Sequence, residues 1–433
     1  MSPPPNSPST FAPPPSFQQV ESSVDGISVY APVQAAAQPD AEVTFKCPQC
    51  GATLAYDVTV GGIACEHCGY SAPTQDERVG RQAQEFEFTL QTWNQAEQGW
   101  GVERRELHCA SCGASLSLPE GELTVTCPFC ASNEVQIGRT PGDVLRPRFL
   151  IPFKIQDQQT QNLARAWLGR GWYYPAELSR SAILDRFTGI YLPYWTFDTR
   201  ITANWRAEVG YERQERYYDH GTKQWHTRTV IDWRWESGRV SLVVDDLLVS
   251  GSTHLSRRLL DGLRPFNLNA LVAYNPEYLA GWKAQAYDLT LPDAWKSGKD
   301  TIREQAKEAC YADIPTSHVR NFSMTADFAD ESWRYILLPV YIAAYKFREN
   351  VFQVMVNGQT GQVSGQKPVA WWKIWLAVAA MLLPGLLLLL VGLPLLLLNG
   401  LGVFPLFLGL ILLIAGGVGA FTLYKNAAAS EAA

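Results

Sequence analysis

Eight of the nine cysteines fall into four Cys-x-x-Cys pairs, and the pairs form two units of identical spacing. The first unit, CPQCGATLAYDVTVGGIACEHCG (47–69), contributes Cys47, Cys50, Cys65 and Cys68. The second, CASCGASLSLPEGELTVTCPFC (109–130), contributes Cys109, Cys112, Cys127 and Cys130, and both units place 14 residues between their pairs. A Cys-x-x-Cys turn sets two sulfurs on one side of a tight loop, and a second turn across a short hairpin completes a tetrahedron. Zinc takes four thiolates at about 2.3 Å in closed structural sites. Gly51, Gly69 and Gly113 each follow the second cysteine of a pair, where a residue without Cβ lets the chain turn sharply beneath a metal. Repetition at one spacing makes the signal specific. The expectation is two structural zinc ions, one in each of two small β zinc ribbons.

Other chemistry can be written for these residues. Eight cysteines in a secreted chain would suggest disulfides, but the first 40 residues carry no Lys or Arg and no apolar stretch of a leader. A thioredoxin-like motif needs one pair at a helix start, not four pairs in two hairpins. Iron stays open beside zinc, because a tetrahedral S₄ site accepts either metal. His67 and His108 adjoin the ligands but would be a fifth donor to a filled site, and are read as bystanders.

Charge narrows what such ribbons could bind. Residues 40 to 142 hold fourteen Asp/Glu against six Lys/Arg, a net of −8, whereas residues 143 to 370 are near balance, with 28 Lys/Arg and 25 Asp/Glu. Nucleic-acid binding needs a basic footprint to displace counterions from phosphates. The ribbons have the opposite sign, and nucleic acid is not the expected partner. Within residues 40 to 142 the only adjacent basic pair, Arg104-Arg105, is flanked by Glu103 and Glu106.

The elements that must carry these units follow from composition and periodicity. Residues 1–40 open with two Pro triplets among Ser and Asn, a composition that cannot bury a core. Ribbons are expected at 41–72 and 105–142, joined by a linker over 73–104, then a soluble α+β domain over 143–370. Within it, ITANWRAEVGYE alternates Ile201, Ala203, Trp205, Ala207, Val209 and Tyr211 with polar residues, the period of a half-buried strand. WHTRTVIDWRWE repeats the pattern with Trp225, Ile231, Trp233 and Trp235 on one face. Asp219 to Thr222 would turn the two into an antiparallel hairpin whose aromatic face is expected in the core. Helices are predicted near Gln158–Leu168 and Asp293–Tyr311, the latter with Cys310 on a buried face beside Ile302 and Ala306. RYILLPVYIAAYKFRENVFQVMVNGQTGQVSG reads as strands with turns at Arg348–Asn350 and Asn357-Gly358.

From Ile374 to Tyr424 no residue is charged. A spanning helix needs about 20 apolar residues, so this run is long enough for two, near 374–398 and 402–424, broken at Asn399-Gly400-Leu401-Gly402. Pro384, Pro394 and Pro405 suit membrane helices better than soluble ones. Lys367 and Lys373 precede the first span and Lys425 follows the second, which places both ends in the cytoplasm by the positive-inside rule. Trp371, Trp372 and Trp375 would anchor that interface opposite Tyr424, with residues 426–433 as a short tail. A reducing cytoplasm also suits eight metal-binding thiolates.

Taken together, the ribbons and the segments TGIYLPYWTFD (188–198), YNPEYLAGWKAQAYDL (274–289) and ILLPVYIAAYKF…VNGQTGQVSGQKP…WWKI (336–374) resemble a bacterial family of double-zinc-ribbon membrane proteins. That family is often labelled as similar to primosomal protein N-prime (replication factor Y), a superfamily II helicase, and shares TFIIB-type zinc ribbons. The VNGQTGQV turn is also similar to the terminal hairpin of PepSY-type domains. The helicase label does not carry over: no Walker A, G-x-S-x-G, H-E-x-x-H or G-x-G-x-x-G motif is present. His220, His226, His254 and His318 are scattered without a pattern that marks a base. The resemblance implies a membrane protein with zinc sites and no established reaction, and some such proteins are associated with membrane-organising SPFH (flotillin-like) partners. With the helicase and ATPase motifs absent, the expectation is that the chain is not an enzyme. The functional expectation is a membrane-anchored cytoplasmic scaffold or adaptor for a protein partner. A membrane-tethered nucleic-acid-binding module and an enzyme using the middle domain are the alternatives.

Overall fold

The computed structural model describes residues 17–20, 29–32, 45–74, 78–80, 86–87, 100, 104–118, 126–139, 145–175, 177–178, 187–221, 223–347, 350–399 and 402–431. Most of the expected Pro-rich tail over 1–40, most of the 73–104 linker, Arg348 in one expected turn, and residues 400 and 401 of the expected membrane turn lie outside them. Residues 1–44 form a unit of their own, in which β1 (Phe17–Val20) and β2 (Val29–Pro32) pair antiparallel. Residues 45–433 form the second unit.

The first cysteine unit is a three-stranded antiparallel sheet, β3 (Ala55–Asp57), β4 (Gly62–Ala64) and β5 (Ser71–Pro73). The short β6 (Phe86–Glu87) follows. The second cysteine unit is built on β7 (Arg105–Cys109), β8 (Ser115–Leu118) and β9 (Val135–Arg139). These three strands are not a separate lobe. Ser117 of β8 pairs with Ala284 of β14 (Lys283–Ala284), so the second unit belongs to the same 12-stranded sheet as the middle of the chain. Burial explains this: Leu107, Leu116, Leu118 and Phe129 are fully buried and share one apolar cluster with Ile190, Leu192, Ile336 and Leu338.

The sheet's spine is three long antiparallel strands, β11 (Thr188–Asp219), β12 (Gln224–Ser250) and β15 (Val319–Phe347). Short strands β10 (Phe149–Leu150) and β13 (Val272–Ala273) extend it at one side, and β16 (Asn350–Asn357) and β17 (Val363–Gly365) close the end of β15. Alternation built β11 as expected: Ile201, Ala203, Trp205, Ala207 and Val209 are buried. Helix α1 (Asp157–Leu168), the short α2 (Arg257–Asp261) and α3 (Leu291–Asp313) pack on the sheet. Helix α3 buries Leu291, Ala294, Trp295, Gly298, Ile302, Ala306 and Cys310, a stripe at helical spacing. Its Trp295 lies 4.8 Å from Phe197, and Asp313 at its end accepts a hydrogen bond of 2.8 Å from the Trp205 indole.

The second strand of the hairpin departs from expectation. Register pairs Trp205 with Gly238, Ala207 with Glu236 and Val209 with Arg234. Cross-strand partners share a face, so Trp225, Ile231, Trp233 and Trp235 occupy the face opposite the α3 core. Trp225 is 63% and Trp235 52% exposed. Period two was read correctly, but alternation cannot say which face the helix covers.

A membrane-type hairpin ends the chain. Helix α4 (Trp371–Asn399) contains Pro384 and Pro394, and α5 (Val403–Glu431) follows. Both are long and apolar enough to cross a membrane, with mean hydropathies of 2.6 and 2.4. At 1.5 Å per residue each reaches past a hydrocarbon core of about 30 Å. They meet where side chains are absent: a Cβ on Gly385 would lie 2.9 Å from the Gly409 carbonyl oxygen. Residues 426–431 are no loose tail. They continue α5 and return to the sheet-bearing body, where Lys367 N donates to Ser430 O (3.1 Å), Arg258 to Ala429 O (2.7 Å) and the Trp371 indole to Glu431 (3.0 Å).

Candidate metal centres

Each cysteine pair closes the same kind of loop. The amide of the residue that follows each pair's second cysteine folds back on the first: Gly51 N donates to Cys47 O (2.8 Å), Gly69 N to Cys65 O (3.0 Å), Gly113 N to Cys109 O (2.9 Å) and Ala131 N to Cys127 O (2.9 Å). All four of these residues are left-handed, with φ of 74° at the three glycines and 58° at Ala131. Alanine in that region carries a Cβ clash that glycine avoids. The fourth loop is therefore the strained one.

The loops bring the eight cysteines into two groups of four. Sulfur separations are 3.4 Å for Cys47–Cys68 and 3.6 Å for Cys50–Cys65 in the first, and 3.7 Å for both Cys109–Cys130 and Cys112–Cys127 in the second. Within each group all four sulfurs lie within 4.8 Å of one another. A tetrahedron with arms of about 2.3 Å has edges of about 3.8 Å, which is the geometry of a four-thiolate site. A disulfide needs about 2.05 Å, so none of these cysteines is bridged.

Electrostatics show what the groups lack without a cation. Burial opposes ionisation of Cys47, but the Gln49 and Cys50 amides and the neighbouring sulfurs outweigh it and bring the thiol down to about 7. The Tyr70 amide favours the Cys68 thiolate, yet hydrogen bonding with Cys47, burial and the other two sulfurs push it up to about 12. In the second group, burial likewise opposes ionisation of Cys109, and the Cys112 and Ser111 amides with nearby sulfurs lower it to about 7. Cys112 goes up to about 11, through burial and then the Cys130 and Cys109 sulfurs, against the Ala114 amide. Four sulfurs this close cannot all carry charge alone. A divalent cation would supply the charge that makes all four thiolates. The donor set fits zinc.

The surroundings of the two groups differ. The first keeps a small apolar cluster of its own, Cys47, Leu54 and Cys65, with Cys50 and Cys68 exposed. It touches the body at a few points: Tyr56 N to Ala280 O (2.9 Å), the Trp282 indole to Tyr56 O (3.0 Å), and a Tyr56–Tyr278 ring contact at 5.1 Å. The second is walled in. Phe129, between its last two ligands, is 1% exposed, and its carbonyl accepts from Gln353 Nε2 at 2.6 Å. Buried Arg104 ties β8 to the body by donating to Ser117 Oγ (2.6 Å), Leu279 O (3.1 Å) and Trp282 O (2.6 Å). The basic residue that sequence offered to a phosphate is spent on structure. His254 pairs with Asp288 at 2.9 Å, and a Cβ on Gly113 would lie 3.5 Å from its ring. His67 is exposed and His108 contacts Ser115 Oγ (3.2 Å), so neither joins a metal group.

A third cluster, Asp198, Asp245 and Asp246, was not anticipated. It sits where register shifts in both ladders of β11, and its cation is a side chain: buried Arg334 pairs with Asp198 (3.5 Å) and with Asp246 and donates to Thr196 Oγ1 (3.1 Å). A lone arginine at the head of the apolar run YILLPVYI was the available signal. Cys310 is buried and its thiol is pushed up by burial and then by Asp313, the inert behaviour expected of it.

Among known proteins, the chain is 27% identical over 339 residues to an uncharacterized protein, YdjG, of Bacillus subtilis (strain 168), covering 77% of this chain and 92% of that one. No family model and no solved structure matches it. The similarity extends across most of both chains, and the relative's name assigns no activity.

Proposed function

We propose that the protein is a membrane-anchored cytoplasmic zinc-ribbon scaffold that holds a protein partner at the bilayer surface. The observation that carries this reading is the double tie between helices and body. Chain enters α4 directly from the body, and the end of α5 is bonded back to it through Ser430, Ala429 and Glu431. A hairpin so tied would keep both ends on one side, and the flanking Lys367, Lys373 and Lys425 favour the cytoplasm for that side. The Trp371 and Tyr424 rings, 5.5 Å apart, suit the interfacial level. Two structural zinc ions would hold ribbons rigid, and the first ribbon, standing on the body with Glu66 and His67 exposed, is the surface offered to the partner. An SPFH-type membrane protein is the first partner to test.

Reporter fusions before Asp40 and after Ala433 are expected in the cytoplasm, and a fusion at Asn399 on the far side; termini in different compartments would contradict the anchor. Glu66→Lys with His67→Glu should abolish recovery of the specific partner from detergent-solubilised membranes while leaving zinc content unchanged. Titration of the full-length protein with DNA and RNA at physiological salt is expected to show no binding. Submicromolar binding that weakens steeply with salt would replace the scaffold with the nucleic-acid reading.

A further inference from the structure

Beyond the end of α3, the hairpin of β11 and β12 continues with no helix on it. The tip is ten residues long in each strand, from Gly210 to Asp219 and from Gln224 to Trp233. Among the described residues β12 pairs with β11 alone, so its other edge presents a row of open backbone donors and acceptors. Folded proteins blunt such edges with bulges, proline or charged side chains, and this edge carries charges of both signs at Arg228, Asp232, Arg234, Glu236 and Arg239. From Gln224 to Val244 this edge has no proline and its register with β11 is unbroken.

Side chains along it point to a specific occupant. The outward face carries Ile231, Trp233 and Trp235, with Trp235 52% exposed. Arginines hold the rings flat against the sheet: Arg206 lies 4.6 Å over Trp235 and Arg320 lies 4.1 Å over Trp233. The opposite face at the same level carries half-buried Asp232 and exposed Arg234, an ion pair of 2.7 Å within the strand whose two charges can exchange partners across a two-fold axis. Both the apolar run and the charge pair are centred on one residue, Trp233. That is the pattern of a self-complementary edge. A two-fold axis normal to a sheet keeps every residue on its own face, so antiparallel self-pairing must centre on a residue. Centring on Asp232 or Arg234 would oppose like charges. Centring on Trp233 opposes Trp233 to itself, Ile231 to Trp235 twice, and Asp232 to Arg234 twice. The overlap then runs from Trp225 against Ser241 to the reverse, with Arg228 facing Gly238 and Glu236 facing Val230, and no like charges meet.

We propose that β12 pairs with β12 of a second copy of this chain about a two-fold axis at Trp233, joining two arms into one continuous sheet. Cross-strand aromatic and opposite-charge pairs are the units that stabilise such a ladder. The inference does not depend on zinc or on the scaffold reading.

The test uses the full-length protein in detergent, with mass measured by light scattering over a dilution series. Wild type is expected to be a dimer. Arg234→Asp sets Asp against Asp at both sites and should halve the mass at concentrations where wild type is dimeric. Asp232→Arg should do the same with Arg against Arg. The double variant Asp232→Arg with Arg234→Asp restores both pairs and should restore the dimer, which separates lost pairing from lost folding. A monomeric wild type at every concentration would overturn the proposal. So would a dimer that ignores the single charge reversals, since it would be held elsewhere, for instance by the helices.

Discussion

The two cysteine units share spacing, loop geometry and sulfur separations, yet the body treats them differently. The first owns its small core and leans on the body through Tyr56 and Trp282. The second has given its core away: its strands extend the main sheet, and Phe129 fills a cluster built by β11 and β15. One position shows the difference. Between the last two ligands the first unit has Glu66-His67 and the second Pro128-Phe129. His67 is exposed and Phe129 is buried. The same four-cysteine geometry is thus attached to a peripheral knob in one case and to a structural wall in the other.

The largest consequence concerns metal loss. Structural zinc contributes about 10–16 kcal/mol of apparent binding energy in small peptides, and removing a ligand forfeits much of it. In the second unit that loss falls on the shared core, so Cys127→Ser should leave no cooperative thermal transition. Cys47→Ser should disorder only residues near 45–74 and leave the main transition in place. Differential scanning calorimetry distinguishes the two, and equal effects would erase the contrast. Next in size is the residue between the ligands. Phe129→Ala should destabilise the protein by about 3–5 kcal/mol as a buried aromatic, against within about 0.5 kcal/mol for His67→Ala at the surface. A comparable cost at both would mean the first unit is packed as deeply as the second. The smallest effect sharpens the comparison of the loops. Ala131 is left-handed where the other three loops have glycine, so Ala131→Gly should stabilise the second unit by about 1 kcal/mol. A loss of stability would show that its Cβ packing outweighs the backbone strain.

Much of this contrast was within reach of the sequence. Cysteine spacing named all eight residues that the fold gathers, because four soft donors on two short loops admit few arrangements. The 51 uncharged residues from Ile374 to Tyr424 marked both long helices for the same reason. Pairing between distant segments was not legible. Ser117 meets Ala284, and Gln353 meets Phe129, across separations that local periodicity does not encode. The aromatic face of β12 was misassigned on the same ground. Alternation sorts Trp233 from Arg234, but only register against Val209 decides which of them faces α3. Phe129 at a position where a free-standing knuckle has a polar residue was the one local hint that the second unit is embedded.

The central claim, two four-thiolate zinc sites, is met most directly by zinc K-edge X-ray absorption on the full-length protein purified in detergent, with elemental analysis of the same sample. The account predicts two zinc ions per chain, each with four sulfur neighbours at about 2.3 Å and no nitrogen or oxygen in the first shell. One metal per chain, bound iron, or a mixed sulfur and nitrogen shell would contradict it.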